Sequence, residues 1–119
     1  ATGWGIGETT MGGYARLVRL DPNWLVPRPA SLSAVEAAAV GTAGLTAALC
    51  VEALVGFGVT PQAGPVLVTG ATGGVGGQAV ALLAAAGYEV VAATGRMAEA
   101  DYVKRLGAGA VIDRAELEG

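Results

Sequence analysis

This 119-residue chain contains no histidine and a single cysteine, Cys50, and only 14% of its residues are charged. One cysteine excludes an internal disulfide framework, and without histidine or a cysteine cluster the chain by itself builds no zinc site. Cys50 lies in an apolar helical pattern, so we predict it to be a small buried side chain. The net charge of −3 provides no basic face, and we expect no nucleic-acid partner.

The sequence also lacks a secretory signal, because no basic segment followed by an apolar one opens the chain. Residues 37–59 are apolar, but they are rich in alanine and glycine and include Glu52. Since a charge at the centre of a bilayer costs about 3 kcal/mol, we predict no membrane span and expect a cytoplasmic protein. The chain starts without methionine and stops just after a third strand pattern, so we expect a fragment of a longer protein.

The most informative stretch is residues 66–77, Val-Leu-Val-Thr-Gly-Ala-Thr-Gly-Gly-Val-Gly-Gly. It reads as a buried strand, a glycine-rich turn and the first turn of a helix, which is the arrangement that holds a dinucleotide pyrophosphate. Gly73 and Gly74 allow the backbone to approach phosphate oxygens, and Gly76 allows the helix to pack closely on the strand. Free N–H groups at the helix N-terminus favour the bound anion.

The pattern after residue 66 predicts alternating strands and helices. A helix follows the glycine turn, with an apolar stripe at helical spacing formed by Val75, Ala79, Leu82, Leu83 and Ala86, and Gly87 caps it. Further strands are predicted at residues 88–93 and 110–113, with a short helix over residues 98–106. This βαβαβ order predicts an α/β fold, half of a doubly wound (Rossmann) parallel sheet.

Upstream, residues 14–20 read as a strand. Ser33 and Glu36 have the spacing of a capping box and predict a helix start. Gly41 interrupts this helix, and a second one is predicted over residues 42–55.

The end of the second strand indicates the choice of cofactor. An acidic residue usually binds the ribose 2′-OH of NAD at this point, but the sequence here is Thr94-Gly95-Arg96. Gly95 leaves space, Arg96 supplies a charged fork suited to phosphate, and Thr94 can add a hydroxyl. One charge-assisted hydrogen bond contributes about 1.5–3 kcal/mol, or roughly tenfold to hundredfold in affinity, which favours NADPH. The open alternative is that Arg96 is an ordinary surface arginine.

The glycine pattern also fits the short-chain dehydrogenase fingerprint. That family places the turn near its N-terminus and carries a later Tyr-x-x-x-Lys pair. Here about half of the chain precedes the glycines, and the nearby Tyr102 and Lys104 are only two positions apart. We therefore prefer another family.

The upstream motifs resemble the medium-chain dehydrogenase/reductase superfamily. The similar segments are residues 12–15 (Gly-Gly-Tyr-Ala), 25–29 (Leu-Val-Pro-Arg-Pro), 33–39 and 41–47 (Gly-Thr-Ala-Gly-Leu-Thr-Ala). Residues 71–76 and 106–113 are similar to landmarks of its zinc-independent quinone oxidoreductase branch. Within that branch, residues 2–8, 41–44 and 94–96 look most like the acrylyl-CoA reductase group of NADPH-dependent enzymes.

This resemblance implies a longer two-domain enzyme that forms a homodimer and needs no metal. Residues 1–32 would be the end of a GroES-like β domain that carries catalytic groups, and residues 33–64 would be inter-domain helices. Residues 65–119 would be the first half of the NADP-binding Rossmann domain.

The resemblance also implies site residues. The pyrophosphate would be bound by Ala71, Thr72, Gly73, Gly74, Val75 and Gly76. The adenosine 2′-phosphate would be bound by Thr94, Gly95 and Arg96. Thr46 would face the cofactor near its nicotinamide end; the alternative, left open, is that its hydroxyl bonds the carbonyl one helical turn back.

The function that follows is an NADPH-dependent oxidoreductase that reduces an activated double bond, as in an enoyl-CoA, or a quinone. Hydride would reach the electron-poor β-carbon, and hydrogen-bond donors would stabilise the charge that develops on the conjugated oxygen. No residue present is a credible catalytic acid, so no catalytic residue is named. The alternative is a non-catalytic module that holds nucleotide or docks a partner on an unpaired sheet edge.

Overall fold

The computed structural model describes residues 1–117, which divide into two compact units, Ala1–Thr42 and a second unit that begins at Ala43. The helices and strands, in chain order, are α1 Ala34–Gly56, β1 Val66–Thr69, α2 Gly74–Ala85, β2 Val90–Thr94, α3 Ala100–Arg105 and β3 Ala110–Asp113. Single 3-10 turns occur at Pro22–Trp24, Pro61–Ala63, Met97–Glu99 and Arg114–Leu117.

The second unit contains a parallel sheet in the spatial order β1-β2-β3. Val66 of β1 pairs with Val90 of β2, and Thr94 of β2 pairs with Asp113 of β3. Parallel neighbours require a crossover connection, and α2 and α3 lie on the two crossovers. The predicted α/β class and βαβαβ order are confirmed.

Strand β2 is the central strand, and all but one of its five residues are buried. This burial is typical of a strand in a parallel sheet that is covered on both faces. The strand begins two residues later than predicted, because the residues before it form the hydrogen bonds that cap the C-terminus of α2. Gly87 (φ +85°) donates its N–H to the Ala84 carbonyl, and Tyr88 donates its N–H to the Leu83 carbonyl.

The buried face of α2 differs from the predicted stripe. Gly77, Val80 and Leu83 are the buried residues of this helix, whereas Val75 and Leu82 are 41% and 37% exposed. The predicted stripe is confirmed at Leu83, which is buried, and at Ala79, which packs against the core, and it is wrong at Val75, Leu82 and Ala86, which are exposed. Apolar residues surround the whole helix, so hydrophobicity alone does not select a face. Gly77 turns toward the interior, where a Cβ at this position would lie 3.3 Å from Leu106 Cδ1.

The start and the interruption of α1 agree with the sequence. Ser33 donates its N–H to Glu36 Oε2 at 2.7 Å, and Glu36 donates its N–H to Ser33 Oγ at 3.2 Å, which is the predicted capping box. Hydrogen bonding by Ser33, first through its side chain and then through its backbone, lowers the pKa of Glu36. Gly41 breaks the helix with a non-helical backbone of φ 45° and ψ −150°.

Helix α1 is long and apolar enough to cross a membrane by length and composition alone. The break at Gly41 divides it, however, and the part after the break covers residues 42–56. At 1.5 Å per residue this part is about 22 Å long, which is shorter than the hydrocarbon core of about 30 Å. It also contains Glu52.

Cys50 is exposed, so the prediction that it is buried was wrong. It lines an apolar groove of about 470 Å³ together with residues of α1, β1 and α2, among them Val51, Leu54 and Leu67. The helical pattern correctly indicates an apolar environment, but within residues 1–117 nothing fills this groove.

The first unit contains no strand within the described residues, so the prediction of a strand over residues 14–20 was wrong. A strand is stable only when a neighbour takes up its backbone hydrogen bonds. The described part of this unit offers only one isolated bridge, between Ile6 and Thr10. Tyr14 is accordingly exposed. The ordered contacts of this unit include the stacked rings of Trp4 and Trp24, whose centroids are 6.0 Å apart.

Strand β1 pairs with β2 on one side only among the described residues, and Leu67 at its centre is 47% exposed. An unpaired apolar edge promotes self-association, and lysine on the edge prevents it. We expect the 119-residue chain to sediment as oligomers at high concentration, and Leu67→Lys to shift it toward monomer. Leu82→Lys, on the surface of α2, is the control and should sediment like the wild type. A wild-type chain that sediments as a monomer contradicts the prediction.

Candidate cofactor-binding site

The turn between β1 and α2 is held by contacts among its glycines. Gly70 has φ +60°, and its carbonyl accepts the N–H of Gly73 at 2.8 Å. A Cβ on Gly76 would lie 2.8 Å from the Gly70 carbonyl carbon and 2.9 Å from Ala71 Cα. Gly76 therefore has to be glycine for the helix to pack against the turn, as the sequence predicts.

The N-terminus of α2 presents free backbone donors. Gly73 is the N-cap and supplies no side-chain cap, and the first hydrogen bond of the helix is that of the Gly77 N–H to the Gly73 carbonyl. Within residues 1–117 the N–H groups of Gly74, Val75 and Gly76 have no acceptor. Three free N–H groups at the positive end of a 12-residue helix can bind an anion.

The end of β2 is joined to this turn by a hydrogen-bond network. Thr94 is 2% exposed, and its hydroxyl shares a hydrogen bond of 2.9 Å with the Thr72 hydroxyl. Thr94 Oγ1 also accepts the backbone N–H of Arg96 at 3.0 Å. Thr94 therefore holds the backbone at the start of the loop after β2. This positioning role is additional to the phosphate contact that the sequence predicts for Thr94.

The side chain of Arg96 lies along the turn. Its Nε donates to Thr72 Oγ1 at 3.1 Å, and its Nη2 donates to the Thr72 carbonyl at 2.8 Å. Its Nη1 lies 3.3 Å from Glu99 Oε1. These contacts use three of the five N–H donors of the guanidinium and leave two for a ligand. Arg96 is therefore held at the turn, with its side chain 59% exposed.

A cleft of about 360 Å³ opens where the two loops meet, lined by Gly70, Thr72, Gly73, Thr94, Gly95, Arg96 and Arg114. Five of the predicted site residues are among these. Arg114, which follows β3 directly, was missed by the sequence reasoning. Its position after a predicted strand could have indicated it, because the carboxyl ends of neighbouring parallel strands lie at the same edge of a sheet.

The other predicted site residues lie outside the lining of this cleft. Ala71 is fully buried, and its N–H donates to the Ala93 carbonyl at 3.2 Å. Val75 and Gly76 line the apolar groove beside β1, and Gly74 lines neither cavity. Thr46 is exposed on α1 and does not line the cleft.

The apolar groove beside β1 is larger than the cleft, but its lining is mainly aliphatic. The cleft contains two arginines and two threonine hydroxyls. A polar, anionic ligand is bound by donors and positive charge, so the smaller cleft is the candidate site. No group of three metal-ligating side chains occurs in the described part of the chain.

No protein-family model matches the chain, but individual relatives do. Over 98% of its length it is 53% identical to acrylyl-CoA reductase AcuI of Ruegeria pomeroyi, of which it covers 35%. Over 96% of its length it is 38% identical to the chloroplastic quinone-oxidoreductase QR1 of Triphysaria versicolor, again covering 35%. The chain therefore spans about a third of the length of these relatives.

Solved structures match over the same length. The yhdH oxidoreductase of Salmonella enterica in complex with NADP has a TM-score of 0.92 and 52% identity, over 97% of this chain and 36% of that one. Protein yhfP of Bacillus subtilis with NAD bound has a TM-score of 0.95 and 50% identity, over 100% of this chain and 36% of that one. These matches confirm the fold and the resemblance on which the site residues were assigned.

Proposed function

We propose that this chain, a member of the medium-chain dehydrogenase/reductase superfamily, is the adenosine-binding part of an NADPH-dependent reductase. The enzyme reduces an activated double bond in an enoyl thioester of the acrylyl-CoA type, or a quinone. The names of the two relatives support these two substrate classes. The active protein is cytoplasmic and a homodimer.

The observation that carries this proposal is the cleft at the carboxyl end of β1 and β2. It brings the Arg96 guanidinium together with Thr72 and Gly73 of the turn that leads directly into the α2 N-terminus. A dinucleotide with a 2′-phosphate has two anionic groups, the pyrophosphate and the phosphate on the adenosine ribose. The α2 N-terminus suits the first and the arginine suits the second.

Each group in the chain has a defined task in this proposal. Gly74, Val75 and Gly76 bind the pyrophosphate through their N–H groups, at a turn that Gly73 and Ala71 complete. Thr72 orients Arg96, which binds the 2′-phosphate over Gly95. Bound NADPH supplies the hydride for the reaction. The chain itself contributes binding and orientation, which place the cofactor at the sheet edge.

The remaining assignments follow the family resemblance. Residues 1–32 belong to the end of the GroES-like domain, residues 33–64 to the inter-domain helices and residues 65–119 to the NADP-binding domain. Thr46 faces the nicotinamide end of the cofactor.

The full-length protein that contains this chain tests the proposal. We expect it to oxidise NADPH when acrylyl-CoA or a quinone is added, measured by the loss of NADPH absorbance. The faster of the two substrates identifies the class. NADH should support a lower kcat/KM by a factor on the order of ten to a hundred, because it lacks the phosphate that Arg96 binds. A folded protein that oxidises NADPH with neither substrate contradicts the proposed function.

A further inference from the structure

We propose that Thr94 is a positioning residue that sets the cofactor selectivity of Arg96 through a relay of hydrogen bonds, and not through a phosphate contact of its own. The inference rests on the proposed function, because it concerns how the same cofactor is selected. The observations that carry it are the burial of Thr94, the hydrogen bonds of its hydroxyl and the position of the Thr72 hydroxyl at the cleft.

Thr94 is the last residue of the central strand β2 and is only 2% exposed. Its Oγ1 accepts the backbone N–H of Arg96 at 3.0 Å and lies 2.9 Å from Thr72 Oγ1. Within residues 1–117 these are the only hydrogen bonds of the Thr94 hydroxyl. The hydroxyl is therefore fully engaged inside the protein, and its two partners are the residues that meet the ligand.

The burial of Thr94 fixes the direction of the hydrogen bond between the two threonines. A hydroxyl has one proton and two lone pairs. If Thr72 donated to Thr94, the proton of Thr94 would have no acceptor within the described residues, and a buried donor without a partner is destabilising. Thr94 therefore donates its proton to Thr72 Oγ1.

This direction leaves the Thr72 hydroxyl with a single task toward a ligand. Thr72 Oγ1 accepts the proton of Thr94 and also the Nε–H of Arg96, at 3.1 Å. Both of its lone pairs are then used, so this hydroxyl meets a ligand only as a donor. Thr72 is half-buried and lines the cleft. A donor at this point favours an anionic oxygen over a neutral one.

The same relay holds Arg96 at both ends of its side chain. Thr94 Oγ1 binds the backbone N–H of Arg96, and Thr72 Oγ1 binds the Nε–H. An arginine that is fixed before the ligand arrives loses less conformational freedom on binding. Without the Thr94 hydroxyl, the backbone N–H of Arg96 loses its acceptor and the Thr72 hydroxyl is free to rotate. The guanidinium is then no longer held ready for the 2′-phosphate.

The test uses the full-length protein and two probes, 2′,5′-ADP and 5′-AMP, which differ only in the 2′-phosphate. Isothermal titration compares the wild type with Thr94→Val, which removes the hydroxyl, and with Thr94→Ser, which keeps it. Thr69→Val is the matched control, because Thr69 ends the neighbouring strand β1 and its hydroxyl forms no hydrogen bond within residues 1–117. Thermal unfolding establishes that each variant is folded. If Thr94→Val is not, Thr94→Cys replaces it, because a thiol is only a weak donor and acceptor.

We expect Thr94→Val to weaken 2′,5′-ADP binding by roughly threefold to tenfold and to leave 5′-AMP binding within about twofold of the wild type. Thr94→Ser and Thr69→Val should bind both probes like the wild type. A double-mutant cycle with Arg96→Ala separates an indirect role from a direct one. In the Arg96→Ala background, Thr94→Val should cause no further loss, because the hydroxyl acts through the arginine.

Three results would overturn this inference. A further loss in the Arg96→Ala background would mean that Thr94 contacts the phosphate itself. An unchanged Thr94→Val would mean that the relay does not hold Arg96, and a Thr94→Ser as weak as Thr94→Val would mean that the methyl group and not the hydroxyl matters. Each leaves the proposed function standing, because the wild type still prefers 2′,5′-ADP. A wild type that binds both probes equally overturns both.

Discussion

Gly76→Ala is expected to unfold at a much lower denaturant concentration than the wild type and to lose nucleotide binding. The added Cβ would meet the Gly70 carbonyl carbon at 2.8 Å and Ala71 Cα at 2.9 Å, which are both backbone atoms that cannot move aside. Overpacking of this kind costs about 1–3 kcal/mol, and the backbone contact places this case at the upper end. The shift of the turn also carries the free N–H groups of α2 away from the pyrophosphate.

Urea unfolding of the full-length protein measures this effect, and Gly74→Ala is the matched control in the same helix turn. A Cβ on Gly74 would meet Ala43 Cβ at 3.5 Å, which is an ordinary contact. Alanine is also the better helix former, by about 1 kcal/mol at most. Gly74→Ala should therefore be as stable as the wild type or slightly more stable. If the two variants unfold alike, the close approach of α2 to the turn is not the reason for Gly76.

Arg96→Ala is expected to reduce the preference for NADPH over NADH by roughly tenfold to hundredfold, mainly through weaker NADPH binding. The substitution removes the cation and leaves the Glu99 carboxylate facing the phosphate without its partner. It also releases the Thr72 hydroxyl and carbonyl from their hydrogen bonds. Affinity for NADH should change little, because NADH carries only a neutral 2′-hydroxyl where NADPH carries the phosphate.

Glu99→Gln is a control that is expected to change NADPH affinity in the opposite direction. It removes the carboxylate that competes with phosphate for Arg96. The exposed ion pair contributes about 0–1 kcal/mol, so NADPH affinity should rise by up to about fivefold. Dissociation constants for both cofactors, measured by the fluorescence of the reduced nicotinamide, test the two variants together. An Arg96→Ala variant with unchanged selectivity would make Arg96 an ordinary surface arginine, the alternative that the sequence leaves open.

The parts of the fold that the sequence predicts are those with a local cause. The capping box at Ser33 and Glu36, the helix break at Gly41 and the αL residue at Gly87 each act within a few residues, and each is where the pattern places it. The glycine turn is equally local, because Gly70 has φ +60° and a Cβ on Gly73 or Gly76 would meet the backbone of Gly70. Short-range backbone chemistry is therefore visible in a single sequence.

The errors have a non-local cause. Whether residues 14–20 form a strand depends on a partner strand, and whether Cys50 is buried depends on what covers its groove. The buried face of α2 depends on the direction from which the sheet approaches, since apolar residues surround the helix. None of these is encoded in the segment itself.

The candidate site shows the same division. Arg96 can be located by counting from Gly76 to the end of the second strand, and the structure places its side chain against the turn. Arg114 lies on a different strand, and it reaches the cleft only through the pairing of Thr94 with Asp113. The register of the sheet brings Arg96 and Arg114 to the same cleft, and this register cannot be derived from the sequence.

The central claim is that this chain binds the 2′-phosphate of NADPH. The most direct measurement is an equilibrium titration of the full-length wild-type protein with NADPH and with NADH. The proposed site predicts tighter binding of NADPH by about tenfold or more. The opposite result would be a preference for NADH or no preference, and the B. subtilis relative was crystallised with NAD bound. If NADH binds as tightly as NADPH, Arg96 does not select the cofactor and the claim is wrong.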